Sequence, residues 1–260
     1  MTLAKEFLLF VLSLGILIQC VRGVLKGEGY NYKQNNVIPA RVTLRSNDVA
    51  FCDGVAISTN LVLTSASCLI DNSITYLRNP STISVTIVTD DRTKSITAYK
   101  ISEMFYHKNF TINNKLLPRK DIAVLKLVDS FKNINQNRMK DERLSNNPLN
   151  INDTVFMYGL KSGINSISSQ DLLKVYMTIQ SPETCAESLR VNLDCKQLCA
   201  IVNSKHELFR RDRGAAVFID NKIAGIISHM DFYNNNGVVV ITNVVPYLKW
   251  INYVKNMKDI

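Results

Sequence analysis

Residues 51–68 read Phe51-Cys52-Asp53-Gly54-Val55-Ala56-Ile57-Ser58-Thr59-Asn60-Leu61-Val62-Leu63-Thr64-Ser65-Ala66-Ser67-Cys68. Two short β-branched runs, Val55–Ile57 and Leu61–Thr64, are separated by a polar triplet that marks a turn. The same pattern extends outward on both sides. Strand-like runs occupy Ala40–Leu44, Ile83–Thr89, Ile122–Leu127, Thr154–Met157, Ala215–Ile219, Ile223–Ile227 and Val238–Ile241. Each is short and bounded by Asn, Asp, Ser or Gly. Many short strands at regular spacing predict closed barrels or sandwiches. The polar, Asn-rich stretch Ser130–Ile151 reads as a surface crossing between two halves. Val245–Asn256 carries a proline near its start, with Leu248, Ile251 and Val254 at helical spacing, which predicts a terminal amphipathic helix.

The whole chain has 260 residues, 46% of them hydrophobic and 20% charged, which supplies enough apolar material for a packed core and excludes disorder. Collagen, coiled-coil and low-complexity classes are excluded as well. The net charge of +9 favours acidic partners without naming one. The amino terminus carries Lys5 followed by a twelve-residue run, Phe7–Ile18, that is too short to span a bilayer. Val21 and Gly23 suit a cleavage site, so residues 1–23 read as a signal peptide, and the chain is expected to be secreted and extracellular. No later run is long enough for a membrane helix, and no nucleic-acid-binding motif is found. Loss of Lys5, Glu6 and Arg22 leaves a mature chain of net charge +8 starting at Val24.

Export permits disulfides. Cys20 leaves with the signal, so Cys52, Cys68, Cys185, Cys195 and Cys199 remain, an odd number. Neither their spacing nor the scattered His107, His206 and His229 makes a metal site, and no cofactor is expected. Asn109 (Asn-Phe-Thr) and Asn152 (Asn-Asp-Thr) are glycosylation acceptors by rule, which predicts exposed turns at both.

Segments spread in order along the chain now carry a family resemblance. Phe51–Gly54 through Leu63–Cys68 resembles the segment around the catalytic His of trypsin-like serine proteases. Asp121-Ile122-Ala123-Val124-Leu125-Lys126-Leu127 resembles the one carrying the catalytic Asp. Arg211-Asp212-Arg213-Gly214-Ala215-Ala216 stands where the family has Gly-Asp-Ser-Gly-Gly-Pro. Lys222–Ser228 and Tyr247-Leu248-Lys249-Trp250-Ile251 resemble the last strands and the terminal helix. The resemblance implies an all-β fold: two six-stranded antiparallel barrels packed around a cleft, with a C-terminal helix. The barrels are expected over about 24–135 and 136–260.

The resemblance also shows what is missing. Hydrolysis by this mechanism needs a nucleophilic hydroxyl, an imidazole base and two N–H groups facing the oxyanion. Ser67 stands in place of the His, and a hydroxyl is no base near neutral pH. Arg213 stands in place of the nucleophile, and a guanidinium stays protonated. Arg211 replaces an oxyanion-hole Gly, and only Asp121 of the triad remains. Glu207 falls where trypsins carry the pocket Asp, and Phe209 replaces a family Cys. The resemblance pairs Cys52 with Cys68 and Cys185 with Cys199. Cys195 is left unpaired, as a buried small hydrophobe, an alternative partner for Cys185 or an intermolecular link.

In active relatives a freed amino terminus pairs with the Asp before the nucleophile. Cleavage after Gly23 would present Val24 to Asp212 in the same way. Asp121, lacking its His, is expected to find new donors in Ser67 and Arg213.

The implied function is that of an inactive homologue, not an enzyme. It would act by binding an extracellular protein (a protease, an inhibitor or a receptor), as do homologues in insect immunity, venoms and seminal fluid. A reproductive or immune fluid is the expected setting. The competing reading is a polyanion or glycan binder using a basic face, with residual endopeptidase activity a third.

Overall fold

The structure, a computed structural model, describes residues 41–71, 76–87, 97–113, 116–131, 144–160, 172–203, 212–230 and 237–257. The signal segment, Val24, His206, Glu207, Phe209 and Arg211 lie outside them, as does the expected boundary at 135/136.

Strands β1 (Arg41–Ser46), β2 (Val49–Ala56), β3 (Leu61–Thr64), β6 (Ile83–Ile87), β7 (Ala98–Tyr106) and β10 (Ala123–Leu127) close a barrel in the order β1-β2-β3-β10-β7-β6. Two small hairpins extend from it, β4 (Ile70–Asp71) with β5 (Tyr76–Leu77) and β8 (Thr111–Asn113) with β9 (Leu116–Arg119). Strands β11 (Thr154–Leu160), β12 (Leu172–Ile179), β13 (Gln197–Val202), β14 (Ala216–Ile219), β15 (Lys222–Met230) and β16 (Val238–Asn243) close the second, in the order β11-β12-β13-β16-β15-β14. Among the described residues, every strand pair in both barrels is antiparallel. Helix α1 (Pro182–Leu189) precedes β13, and α2 (Leu248–Lys255) follows a 3-10 turn at Val245–Tyr247. The expected architecture is therefore the observed one.

Closure removes the edges that short strands would otherwise expose. It also gives each barrel its own core. Val42, Leu44, Val62, Val85 and Leu125 fill the first, and Val155, Met157, Met177, Val217 and Ile241 fill the second. Each of these side chains, buried fully, contributes about 2 kcal/mol. Ile251 and Val254 turn the apolar face of α2 inward as their spacing predicts. Cys52–Cys68 ties β2 to the turn after β3, and Cys185–Cys199 ties α1 to β13. Each closes a loop of a size that removes about 3 kcal/mol of unfolded-chain entropy.

The second barrel reaches the first through Gly214. Its φ is +85°, and a Cβ there would stand 2.2 Å from the Asp53 carbonyl oxygen and 2.4 Å from Thr64 Oγ1. Those two atoms are themselves joined, because Thr64 Oγ1 donates to the Asp53 oxygen at 2.7 Å. The Asp53 N–H donates to the Arg213 carbonyl at 2.8 Å, and the Gly214 N–H to that of Ile227 at 2.8 Å. Only a residue without a side chain fits this approach. Gly214→Ala is expected to lower stability by about 3 kcal/mol or more, as read from the urea midpoint.

Candidate functional site

The three triad positions come together at the junction of the barrels. Ser67 lies in the 3-10 turn Ala66–Leu69 that follows β3 and is fully buried. Asp121 stands just before β10 and is also fully buried. Pairing of β10 with β3, with Ala123 opposite Thr64, brings the two segments side by side. Arg213 lies in the tight turn just before Gly214, half-buried.

Asp121 is satisfied from three directions. Its Oδ1 accepts the Ser67 N–H at 2.6 Å. Its Oδ2 accepts Ser67 Oγ at 2.9 Å and Ser228 Oγ at 2.6 Å. Ser65 Oγ lies 2.8 Å from Ser67 Oγ, so Ser65 donates while Ser67 donates onward to the carboxyl. Burial pushes the Asp121 carboxyl above the ordinary carboxylate range. Hydrogen bonds from Ser228 and Ser67, together with the nearby charge of Arg213, oppose that rise without cancelling it.

The expected donor Ser67 is thus in place, and Arg213 contributes its charge. Ser228 is a donor that the sequence reading passed over. It was visible only as the last residue of a strand-like segment, and a serine ending an apolar strand carries no signal of its own.

This arrangement holds the carboxyl in place. Ser67 has no exposed surface, so it cannot meet a substrate as nucleophile, and its hydroxyl already donates a hydrogen bond to Asp121. A base of imidazole type is absent from the described contacts of Asp121. Among the described residues no cluster of His, Cys, Asp or Glu is arranged to hold a metal ion.

A second buried charge cluster lies beside the first. Arg41, on β1, is 4% exposed. Its Nη2 donates to Asp53 Oδ2 in a short ion pair and stands 3.4 Å from Asp212 Oδ1. Thr43 Oγ1 donates to Asp53 Oδ1 at 3.0 Å. Asp212 was expected to meet Val24, which lies outside the described residues; Arg41 is one of its partners within them. Asp53, the single charge in the strand Val49–Ala56, was the signal for this cluster, since buried charges pair.

Elsewhere the barrels are joined by Lys120, whose Nζ donates to both oxygens of Asp194 at 3.0 and 2.8 Å. Gln197 Nε2 donates to the Pro118 carbonyl at 2.7 Å. His107 packs edge-on against Tyr247 and Trp250. Burial lowers its pKa first, and then the charges of Lys196, Lys120 and Lys108 lower it further.

Cys195 is exposed in the turn before β13, which overturns the reading of it as a buried small hydrophobe. Cys185 is bonded to Cys199, so Cys195 is not its partner. The Cys195 thiol donates to Asp194 Oδ1 at 3.4 Å, a polar contact at the surface in place of a core one. Asn109 and Asn152 both stand exposed on turns.

Comparison with known proteins agrees with this geometry. The family described as Trypsin matches residues 27–251, and the chain belongs to that family. It is similar to Kallikrein-7 of Homo sapiens, with 26% identity over 219 residues, 82% of this chain and 81% of that protein. Among solved structures it shares its fold with the scabies mite inactivated protease paralogue S-D1. The TM-score is 0.68 at 18% identity, covering 86% of this chain and 96% of that one. It also matches neuropsin, a serine protease of mouse brain, with a TM-score of 0.67 at 18% identity over 84% and 95% of the two chains.

Proposed function

We propose that this chain is a secreted member of the trypsin family without peptidase activity, which works by binding an extracellular protein such as a protease, an inhibitor or a receptor. A regulator or decoy in a protease cascade of a reproductive or immune fluid is the role this reading implies. The observation that carries it is the fully buried Ser67, bonded to Asp121 where the mechanism needs a base. Arg213 at the nucleophile position adds a second, independent loss. The scabies mite protein of the same fold is described as inactivated, so the fold outlives catalysis in at least one other chain. The signal-like residues 1–23 and the exposed sequons at Asn109 and Asn152 favour a glycosylated, exported protein.

A polyanion-binding reading draws on one structural observation, the convergence of Lys108, Lys120 and Lys196 around His107. The bidentate pairing of Lys120 with Asp194 weakens it by removing one of the three charges from free use.

Affinity capture from extracellular fluid, with the secreted protein as bait, separates the two. A protein partner in stoichiometric amount that survives moderate salt is the expected result. Release of mixed acidic material by salt alone would favour the polyanion reading instead.

A further inference from the structure

We propose that His107 is an acid-sensitive latch: neutral, its ring holds the exposed turn that carries Asn109 against the carboxyl-terminal segment, and protonated it lets that turn open.

The His107 N–H donates to the Ile122 carbonyl at 3.3 Å, which anchors the residue beside β10. The Phe110 N–H donates to the His107 carbonyl at 2.7 Å and closes the turn. The Asn109 N–H donates to His107 Nδ1 at 3.3 Å. Nδ1 is therefore an acceptor, and the neutral ring carries its proton on Nε2. The same ring meets Tyr247 and Trp250 edge-on, with centroids 5.3 and 5.8 Å away. One half-buried side chain thus ties the turn after β7 to the 3-10 turn at Val245–Tyr247 and to α2.

A proton on Nδ1 turns the acceptor into a donor, so the Asn109 N–H loses this bond. It also sets a partly buried cation among lysines. Lys108 comes from the turn itself, Lys120 from the link between β9 and β10, and Lys196 from the turn before β13, and all three oppose a charge on the ring. Tyr247 already has Lys196 Nζ 5.4 Å from its ring centre, and its hydroxyl stays neutral, pushed up by burial. Trp250 carries no charge. The nearby carboxylate Asp194 has both oxygens on Lys120 and accepts the Cys195 thiol as well. Asp121 is held by its serines. The consequence is a face that differs between neutral and mildly acidic fluid, at the turn bearing Asn109-Phe110-Thr111.

Trp250 is the single tryptophan of the chain and packs on the imidazole, so its fluorescence reads the charge of the ring, because imidazolium quenches indole. The folded protein is titrated from about pH 8 to about pH 4.5, and amide hydrogen exchange, corrected for its intrinsic pH dependence, is followed over the same range. Quenching is expected with a midpoint below the ordinary imidazole value of about 6.5. Protection of the Asn109 and Phe110 amides is expected to fall at least about fivefold across that midpoint. His107→Asn keeps an acceptor near the place of Nδ1 but does not titrate, and it is expected to abolish both changes. If that chain does not fold, His107→Phe keeps the ring without a titrating group and should likewise show no step. A midpoint at or above the ordinary value, quenching without loss of protection, or a step that persists in the variant would overturn the proposal.

Discussion

Asp121→Ala is expected to lower stability by about 3–5 kcal/mol, whereas Asp121→Asn is expected to leave it within about 1 kcal/mol of the parent at pH 7, or above it. The alanine strands three buried donors: the Ser67 N–H, Ser67 Oγ and Ser228 Oγ. The asparagine keeps the Ser67 N–H donor satisfied and leaves each hydroxyl in a hydrogen bond, now as an acceptor. Its Oδ1 accepts the Ser67 N–H, and its Nδ2 donates to the two hydroxyls, which rotate to accept. It also removes a charge from a site that burial makes unfavourable for one.

The pH dependence follows the same cause. The folded carboxyl keeps its proton more tightly than the unfolded one. Its contribution to stability is therefore fully present below the ordinary carboxylate value near 4 and is lost as pH rises through the raised value. Parent minus Asp121→Asn, in urea midpoint against pH, should fall over that window and be flat above it. A parent that gains on the Asn chain with rising pH would show that the carboxylate is the favoured form.

The second large effect is on chemistry. The parent is expected to turn over peptide substrates about 10^6-fold more slowly than an intact triad, because base and nucleophile are both replaced. Asp121 is in place, held by the Ser228 hydroxyl at 2.6 Å. Restoring the rest with Ser67→His, Arg213→Ser and Arg211→Gly should raise turnover of an activated ester by at least about 10^3-fold. The mutated His would take the place of Ser67 as donor to the carboxyl and orient itself accordingly. A folded triple variant that stays inert would place the loss in the substrate pocket instead of the triad.

The barrels were legible wherever strands were β-branched and apolar. Leu61–Thr64 forms the strand its composition predicts, residue for residue. The other predicted runs lie on strands that begin or end a few residues away. Ala98–Tyr106, Leu172–Ile179 and Gln197–Val202 were missed. The first carries Lys100, Ser102 and Glu103 on a solvent-facing side, so its apolar content is diluted. The others interleave Lys174, Tyr176 and Thr178, or open on Gln197, and pairing with neighbours decides them. Helix α1 was hidden because its eight residues bury a single side chain, Cys185, and so show no apolar stripe.

At the site, the triad positions followed from motif order, and the two disulfides followed with them. The Arg41–Asp53–Asp212 cluster did not. Its members are 12 and 171 residues apart along the chain, and only closure of the two barrels brings them together.

The central claim is that this trypsin-family fold carries no working nucleophile. Incubation of the folded protein with a fluorophosphonate probe, followed by intact mass measurement, tests it most directly. The account predicts no adduct on the parent chain, under conditions where an active serine protease labels fully. A stoichiometric adduct mapping to any serine at the barrel junction would contradict it.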